Sequence, residues 1–378
     1  VEPFEILSYG GGGEILPRRE KSRKSTFYEI INNGVIIMPK KISVEDAVGQ
    51  KLAHDITEIR KGEFKGRAFK KGHIIRHEDV CHFHRLGKQH VYIDVEEKGH
   101  LHENEAVVLL ARAFCGIGVF WEGEPVEGKL KLQAAQDGLL RVEVAQLARI
   151  NMLGEIMCST RHTNTLVKSG DVVAATRAIP LLIDKKVVDQ AVAIASEKKG
   201  VLSVMPLKKA SVGILITGNE VYHGMIKDQF ESILRSKIND IGSYVREVAF
   251  APDDSKFISE TLIRFIESGV DLILTTGGMS VDPDDVTRAG IVAAGAADCL
   301  YGSPVLPGAM FMIAYIGDVP VLGVPACGIY HKTTMLDLLL PRILAGGRIT
   351  RRDLAVMGHG GLCLDCETCR YPICPFGK

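Results

Sequence analysis

The 378-residue chain lacks net charge: 46 lysines and arginines face 46 aspartates and glutamates. That balance removes any bulk electrostatic drive toward nucleic acid or an anionic membrane. No repeat recurs, no apolar run is long enough for a transmembrane helix and no secretory segment is visible, so a cytoplasmic protein is expected. What is present is 46% apolar residues, enough for ordinary cores in two or three domains. Nine cysteines without a secretory segment point to a reducing cytoplasm, where clustered thiols read as metal ligands rather than a disulfide frame. Residues 1–41, with Gly10 to Gly13 and the basic run Arg18 to Lys24, read as a flexible extension, and Met38 is a candidate physiological start.

The most informative stretch runs from Val270 to Thr287. Val270, Leu272, Ile273 and Leu274 form the continuous apolar run of a strand covered on both faces, and such sheets bind ligands at the carboxyl ends of their strands. At that end stand Thr275, Thr276, Gly277, Gly278, Met279 and Ser280. The glycines let main-chain N–H groups approach an anion, and the hydroxyls of Thr276 and Ser280 add donors. Asp282, Asp284 and Asp285 follow, and carboxylates beside an anion pocket suggest metal contact or proton transfer. The structural alternative is an acidic turn capping a helix that begins near Val286.

A second strand, Val212 to Ile216, delivers Thr217-Gly218-Asn219-Glu220 at its end, so the two loops can face one crevice. Between them, Phe230, Ile233, Leu234, Ile238 and Ile241 recur at helical spacing, with Asp228 at the start and Gly242 as a stop. Tyr244 to Phe250 reads as a strand. Ile258, Leu262, Phe265 and Ile266 mark a helix that Asp254 or Ser255 caps and Gly269 ends. This alternation gives an α/β fold class: a mostly parallel sheet with helices on both faces and right-handed crossovers.

On these residues, 211 to about 345 resemble the molybdopterin-binding domain of the molybdenum insertase (molybdopterin molybdenumtransferase) family and its adenylyltransferase relatives. Four segments carry the resemblance in order: Thr217-Gly218-Asn219-Glu220, Gly224-Met225-Ile226-Lys227-Asp228, Thr276-Gly277-Gly278-Met279-Ser280 through Asp285, and Leu306-Pro307-Gly308. The resemblance implies a molybdopterin-binding fold whose loops (Thr217, Gly218, Asn219, Thr276, Gly277, Gly278, Met279, Ser280, Pro307 and Gly308) hold molybdopterin or its adenylylated form. It further implies that Glu220, Asp228 and Asp285 bind magnesium or molybdate, or assist nucleotide removal. A molybdo- or tungsto-enzyme client and a homodimer are implied on the same ground. Metal insertion is the enzyme reading, and a non-catalytic cofactor carrier or sensor is the alternative. A binder of another nucleotide or phosphosugar is a third.

The chain also departs from the family. Where insertases read Lys-Pro-Gly-Lys-Pro it has Leu306-Pro307-Gly308-Ala309-Met310, losing both lysines. The Leu-Pro-Gly-Asn-Pro loop is Val324-Pro325-Ala326-Cys327-Gly328, and the Asn of the Asp-x-Asn segment is Phe230. Cys327 is thus either a soft ligand or a small buried residue. Lys227, His331 and Lys332 are the cations able to substitute for the lost lysines.

The preceding half, residues 42–207, is read as one irregular α+β domain. Ile42 to Ile56 resembles the opening of insertase chains, a helix before a short strand, and Phe69 to Gly87 resembles the segment that follows. Gly128 to Leu140 alternates like strand pairs, Val142 to Leu153 reads as a helix, and Val167 to Ile183 reads as a hairpin around Ser169-Gly170-Asp171. Seven of twelve histidines fall between His73 and His102, in a spacing that matches no tetrahedral metal pattern. The binding domain is expected over 208–348. Beyond it, a Cys-rich tail over 349–378 holds Cys363, Cys366, Cys369 and Cys374-Pro375, a run that echoes ferredoxins, so an iron-sulfur cluster or a compact zinc knuckle is expected there.

Overall fold

A computed structural model describes residues 40–60, 63–93, 98–278 and 286–377. Val44, Leu52, Ile56, Phe69, Ile75, Phe83 and Val91 make a small core over residues 41–93. Strand Lys41–Ser43 pairs with His90–Tyr92, Ile56–Arg60 pairs with Phe64–Phe69, and helix His77–Arg85 covers them. The expected opening helix is absent: residues 44–49 form turns, and Gly49 at φ +86 ends them before a second helical turn can follow. Three of the histidines here lie against carboxylates, His73 on Asp79 at 2.7 Å, His82 on Glu58 at 3.5 Å and His84 on Glu45 at 3.1 Å.

A second core, over residues 106–204, packs helices Glu103–Phe114, Val144–Asn151 and Lys185–Ser196 against two antiparallel sheets. The expected hairpin around Gly170 is corrected. The turn exists, with Gly170 at φ +84 and Asp171 accepting from the Lys168 N–H. Its strands diverge, however: Thr165–Val167 joins Gly138–Val142, while Val172–Ala178 lies between Lys129–Ala134 and Ile156–Thr160. Leu139, Leu140 and Val142 are buried in one sheet and Leu130, Leu132 and Ala134 in the other, so the chain turns a corner to close the core from two sides.

The remaining elements form one six-stranded sheet. In chain order they are β1 Ser211–Thr217, α1 Asn219–Tyr222, α2 Phe230–Asp240, β2 Tyr244–Ala251, α3 Ser255–Glu267, β3 Leu272–Thr276, α4 Thr287–Ala293, β4 Ala297–Tyr301, β5 Met312–Ile316, β6 Val319–Val324, α5 Cys327–Tyr330, α6 Met335–Leu344 and α7 Arg351–Val356. The sheet order is β2-β1-β3-β6-β5-β4, parallel from β2 to β6 and antiparallel across β5 and β4. Every residue of β1 and β3 is buried, as strands covered on both faces require. Side chains alternate between two cores: Val212, Ile214, Ile216, Leu272 and Leu274 meet α2 and α6, whereas Leu215 and Ile273 meet α3 and α4. A Cβ on Gly213 would lie 2.6 Å from the Phe265 ring, which explains the glycine within β1. Asp254 caps α3 by accepting from the Phe257 N–H at 2.8 Å, and Gly269 lies at φ +80 beyond its end.

Candidate functional site

The chain leaves β1 for β2 on one side and returns to β3 on the other, so the crevice above the β1 and β3 ends is a topological switch point. Beside it lies a cleft of about 670 Å³ lined by Gly277 and Gly278 after β3, Leu306 to Met310, Pro325 to Cys327 after β6, His331, and Leu362, Cys363 and Asp365 from the tail. The structure therefore brings together two loops that the sequence separated by almost thirty residues, Gly277-Gly278 and Pro307-Gly308. Both are packed too closely to tolerate a side chain. A Cβ on Gly277, at φ +79, would stand 2.3 Å from the Thr217 carbonyl oxygen, and one on Gly308, at φ +126, would stand 2.5 Å from the Met335 Cβ. Among the described residues lining the cleft, none is lysine or arginine.

The other expected binding residues sit behind or beside this surface. Thr217 and Thr276 are buried at 4% and 0% exposure. The Thr217 hydroxyl donates to the Thr276 carbonyl at 2.7 Å and shares a 2.8 Å hydrogen bond with Thr287, which ties β1, β3 and α4 together under the glycines. Both hydroxyls are thus sealed beneath the glycines, that of Thr217 in these hydrogen bonds and that of Thr276 with no hydrogen-bond partner among the described residues. Gly218 takes φ +137, which lets the chain turn into α1. Asn219 and Asp253 exchange hydrogen bonds, the Asn219 N–H to the carboxylate at 2.9 Å and the Asp253 N–H to the amide oxygen at 3.1 Å. Met279, Ser280 and Asp285, together with Asp282 and Asp284, lie outside the described residues.

Of the three expected acids, Glu220 and Asp228 fall among the described residues. Glu220 is exposed on α1 and does not line the cleft. Asp228 accepts from the N–H groups of Phe230 at 3.0 Å and Glu231 at 2.8 Å, so both carboxylate oxygens satisfy donors at the start of α2. Among the described residues, which do not include Asp285, no three His, Cys, Asp or Glu side chains come together as metal ligands. Cys327, at the start of the short helix α5, lines the cleft, and burial raises its thiol pKa above the ordinary value. Of the possible substitutes for the missing lysines, His331 reaches the cleft and Lys227 and Lys332 do not line it.

Comparison with known proteins gives this geometry a family. Residues 213–345 match the family described as "Probable molybdopterin binding domain". This segment belongs to the molybdopterin-binding domain family. Residues 41–95 match a family described only as a domain of unknown function, DUF8806. The chain is 28% identical over 147 residues to molybdopterin molybdenumtransferase of Synechococcus elongatus, covering 36% of each protein. It is 33% identical over 78 residues to a CinA-like protein of Mycobacterium tuberculosis, covering 21% of this chain and 18% of that one. The chain thus spans about a third or less of the length of these curated relatives. Among solved structures, the molybdopterin biosynthesis enzyme MoaB from Thermus thermophilus is similar at 21% identity and TM-score 0.32, over 36% of this chain and 98% of that one. The tungsten cofactor synthesizing protein MoaB from Pyrococcus furiosus is similar at 17% identity and TM-score 0.30, over 38% and 99%.

In the molybdopterin-binding domain the tail is part of the wall rather than an appendage. The Leu306 N–H donates to the Gly361 carbonyl and the Cys363 N–H to the Leu306 carbonyl, both at 2.8 Å, so residues 361–363 run beside the Pro307-Gly308 loop. Phe376 is buried in the α2–α6 core, and Tyr371 and Cys374 pack against it. Burial and the nearby Asp337 carboxylate push the Tyr371 hydroxyl up to about 12. The four cysteines have different surroundings, and Cys374 packs against that core. Cys363 faces the cleft, Cys366 is exposed, and Cys369 lies 3.4 Å from the Thr333 hydroxyl. Hydrogen bonds from Thr333 and from the Tyr371 N–H hold the Cys369 thiol pKa below its ordinary value. The expected four-thiol iron-sulfur or zinc site is therefore not assembled in this arrangement, since no three ligands converge among the described residues. Leu362 and Asp365 are the cleft residues that sequence reasoning missed. They lie beyond the matched domain, and no motif marks them.

Proposed function

We propose that the protein binds molybdopterin, free or adenylylated, in the cleft beside the β1 and β3 ends and serves maturation of a molybdenum or tungsten cofactor. The observation that carries this reading is the meeting of Gly277-Gly278 with Pro307-Gly308 in one cleft of about 670 Å³, within the usual range for a small-molecule site. Main-chain N–H groups of the glycine loop take the phosphate, and the Leu, Met, Pro and Ala surfaces take the flat heterocycle. Of the two roles, carrier or sensor is favoured over metal insertion. Insertion into adenylylated molybdopterin needs cations or a metal near the phosphates, and the described lining supplies only His331. Asp228 is already occupied at the start of α2. A molybdo- or tungsto-enzyme is the client that either role implies.

The test is gel filtration of anaerobically purified protein with adenylylated molybdopterin, read by the fluorescence of the oxidised pterin. Stoichiometric co-elution is expected, and its absence would overturn the pterin reading. Molybdate is then added: retained, unchanged ligand supports a carrier, and nucleotide release with metal bound to the pterin supports insertion.

A further inference from the structure

The cleft lining combines flat apolar surfaces with one carboxylate among its described residues, Asp365, and that carboxylate belongs to the tail. We propose that Asp365 reads the 2-amino-4-oxopyrimidine edge of a bicyclic heterocycle held in the cleft. The inference rests on the ligand-binding reading of that cleft and names the chemistry by which it selects.

Three observations lead there. The Asp365 carboxylate has no hydrogen bond among the described residues; the His331 ring is beside it, with Nδ1 3.9 Å from Oδ1, beyond hydrogen-bond reach. The side chain is 87% exposed, so its acceptor sites face solvent at the cleft wall. The backbone that carries it is fixed on one side by the ladder between Leu306 and residues 361–363, and Asp365 itself takes φ +50, a left-handed conformation that aspartate and asparagine enter more readily than other side chains.

An ionised carboxylate can only accept hydrogen bonds, and its two oxygens match a pair of parallel N–H donors. The 2-amino group and adjacent ring N–H of a 2-amino-4-oxopyrimidine are such a pair. The same carboxylate disfavours a phosphate beside it, which leaves the phosphate to the N–H groups at Gly277 and Gly278. Pterins and guanine share this edge, so the chemistry is common to both and the ligands must be told apart by experiment.

The test is titration of the full chain with 6-hydroxymethylpterin, with the lumazine analogue that replaces the 2-amino group by a carbonyl, and with guanosine and inosine, which lacks the amino group. Wild type should prefer the pterin over the lumazine by about 10- to 100-fold, the range of a good bidentate contact. Asp365→Asn keeps the backbone conformation and should bring that ratio close to one with an unchanged melting temperature. Pterin binding with the same ratio in both proteins would overturn the role of Asp365 and leave the pterin site intact. Guanosine preferred over inosine through Asp365, with no pterin binding, would support the edge-reading role and overturn the pterin reading. Binding of none of the four would overturn the edge-reading role of Asp365, and the co-elution of adenylylated molybdopterin would still decide the pterin reading.

Discussion

Gly277→Ala tests whether the cleft loop is held by backbone packing. Gly277 lies at φ +79, where an L-residue costs about 1–2 kcal/mol. Its new Cβ would also meet the Thr217 carbonyl oxygen at 2.3 Å and the Thr217 hydroxyl at 2.7 Å. The carbonyl belongs to a fully buried strand and cannot swing aside, so overpacking adds about 1–3 kcal/mol. The expected loss is about 2–5 kcal/mol in all. Gly295→Ala is the control: φ is +88 and nothing lies within 4 Å of the new Cβ, so only the conformational cost of about 1–2 kcal/mol applies. Guanidinium titration read by hydrogen exchange of the peptides covering 211–217 and 272–276 compares the two variants on the strands concerned. Equal losses in both would refute the packing argument, because the close approach to Thr217 would then cost nothing.

Two further outcomes follow from the same reasoning. Asp228→Ala should lower stability by about 0.5–2 kcal/mol, as for loss of a helix cap, with lost exchange protection confined to the start of α2; a variant as stable as wild type would remove the structural role. Glu103, buried at the start of its helix, has its pKa raised from 4.5 to about 7, chiefly by burial. Its folded form holds a proton that the unfolded form has released, so stability should fall as pH rises from about 4.5 to about 7 and then level off. Glu103→Gln should flatten that part of a melting-temperature profile, and an identical slope in both proteins would assign the dependence to other groups.

The α/β sheet was legible because its strands are continuous apolar runs and its helices carry a 3.6-residue period, with Asp254 and Gly269 marking ends that a local rule can read. The glycine loops were legible for a related reason, since Gly277 and Gly308 occupy backbone positions that exclude side chains. What was not legible depends on contacts between distant residues. Thr276 looks like a ligand donor in one dimension and is sealed at 0% exposure in three. Asn219 resembles a loop ligand until its hydrogen bonds with Asp253, 34 positions away, are seen. The corner at Gly170 has the composition of a hairpin turn, and only the partition of buried residues between two sheets shows that its strands separate. The tail was read by its thiol spacing, which carries no information about Tyr371 and Phe376 as anchors.

The wall supplied by Leu362, Cys363 and Asp365 also imposes an order of events during synthesis. The ribosome makes Gly277 first among the described lining residues and reaches Cys363 about 36 residues after Cys327, a delay of about 2–7 s at ordinary elongation rates. Until residues 361–363 emerge and settle beside Leu306, the cleft stands open on that side. A nascent chain therefore presents the glycine loops without that wall until translation has passed residue 363.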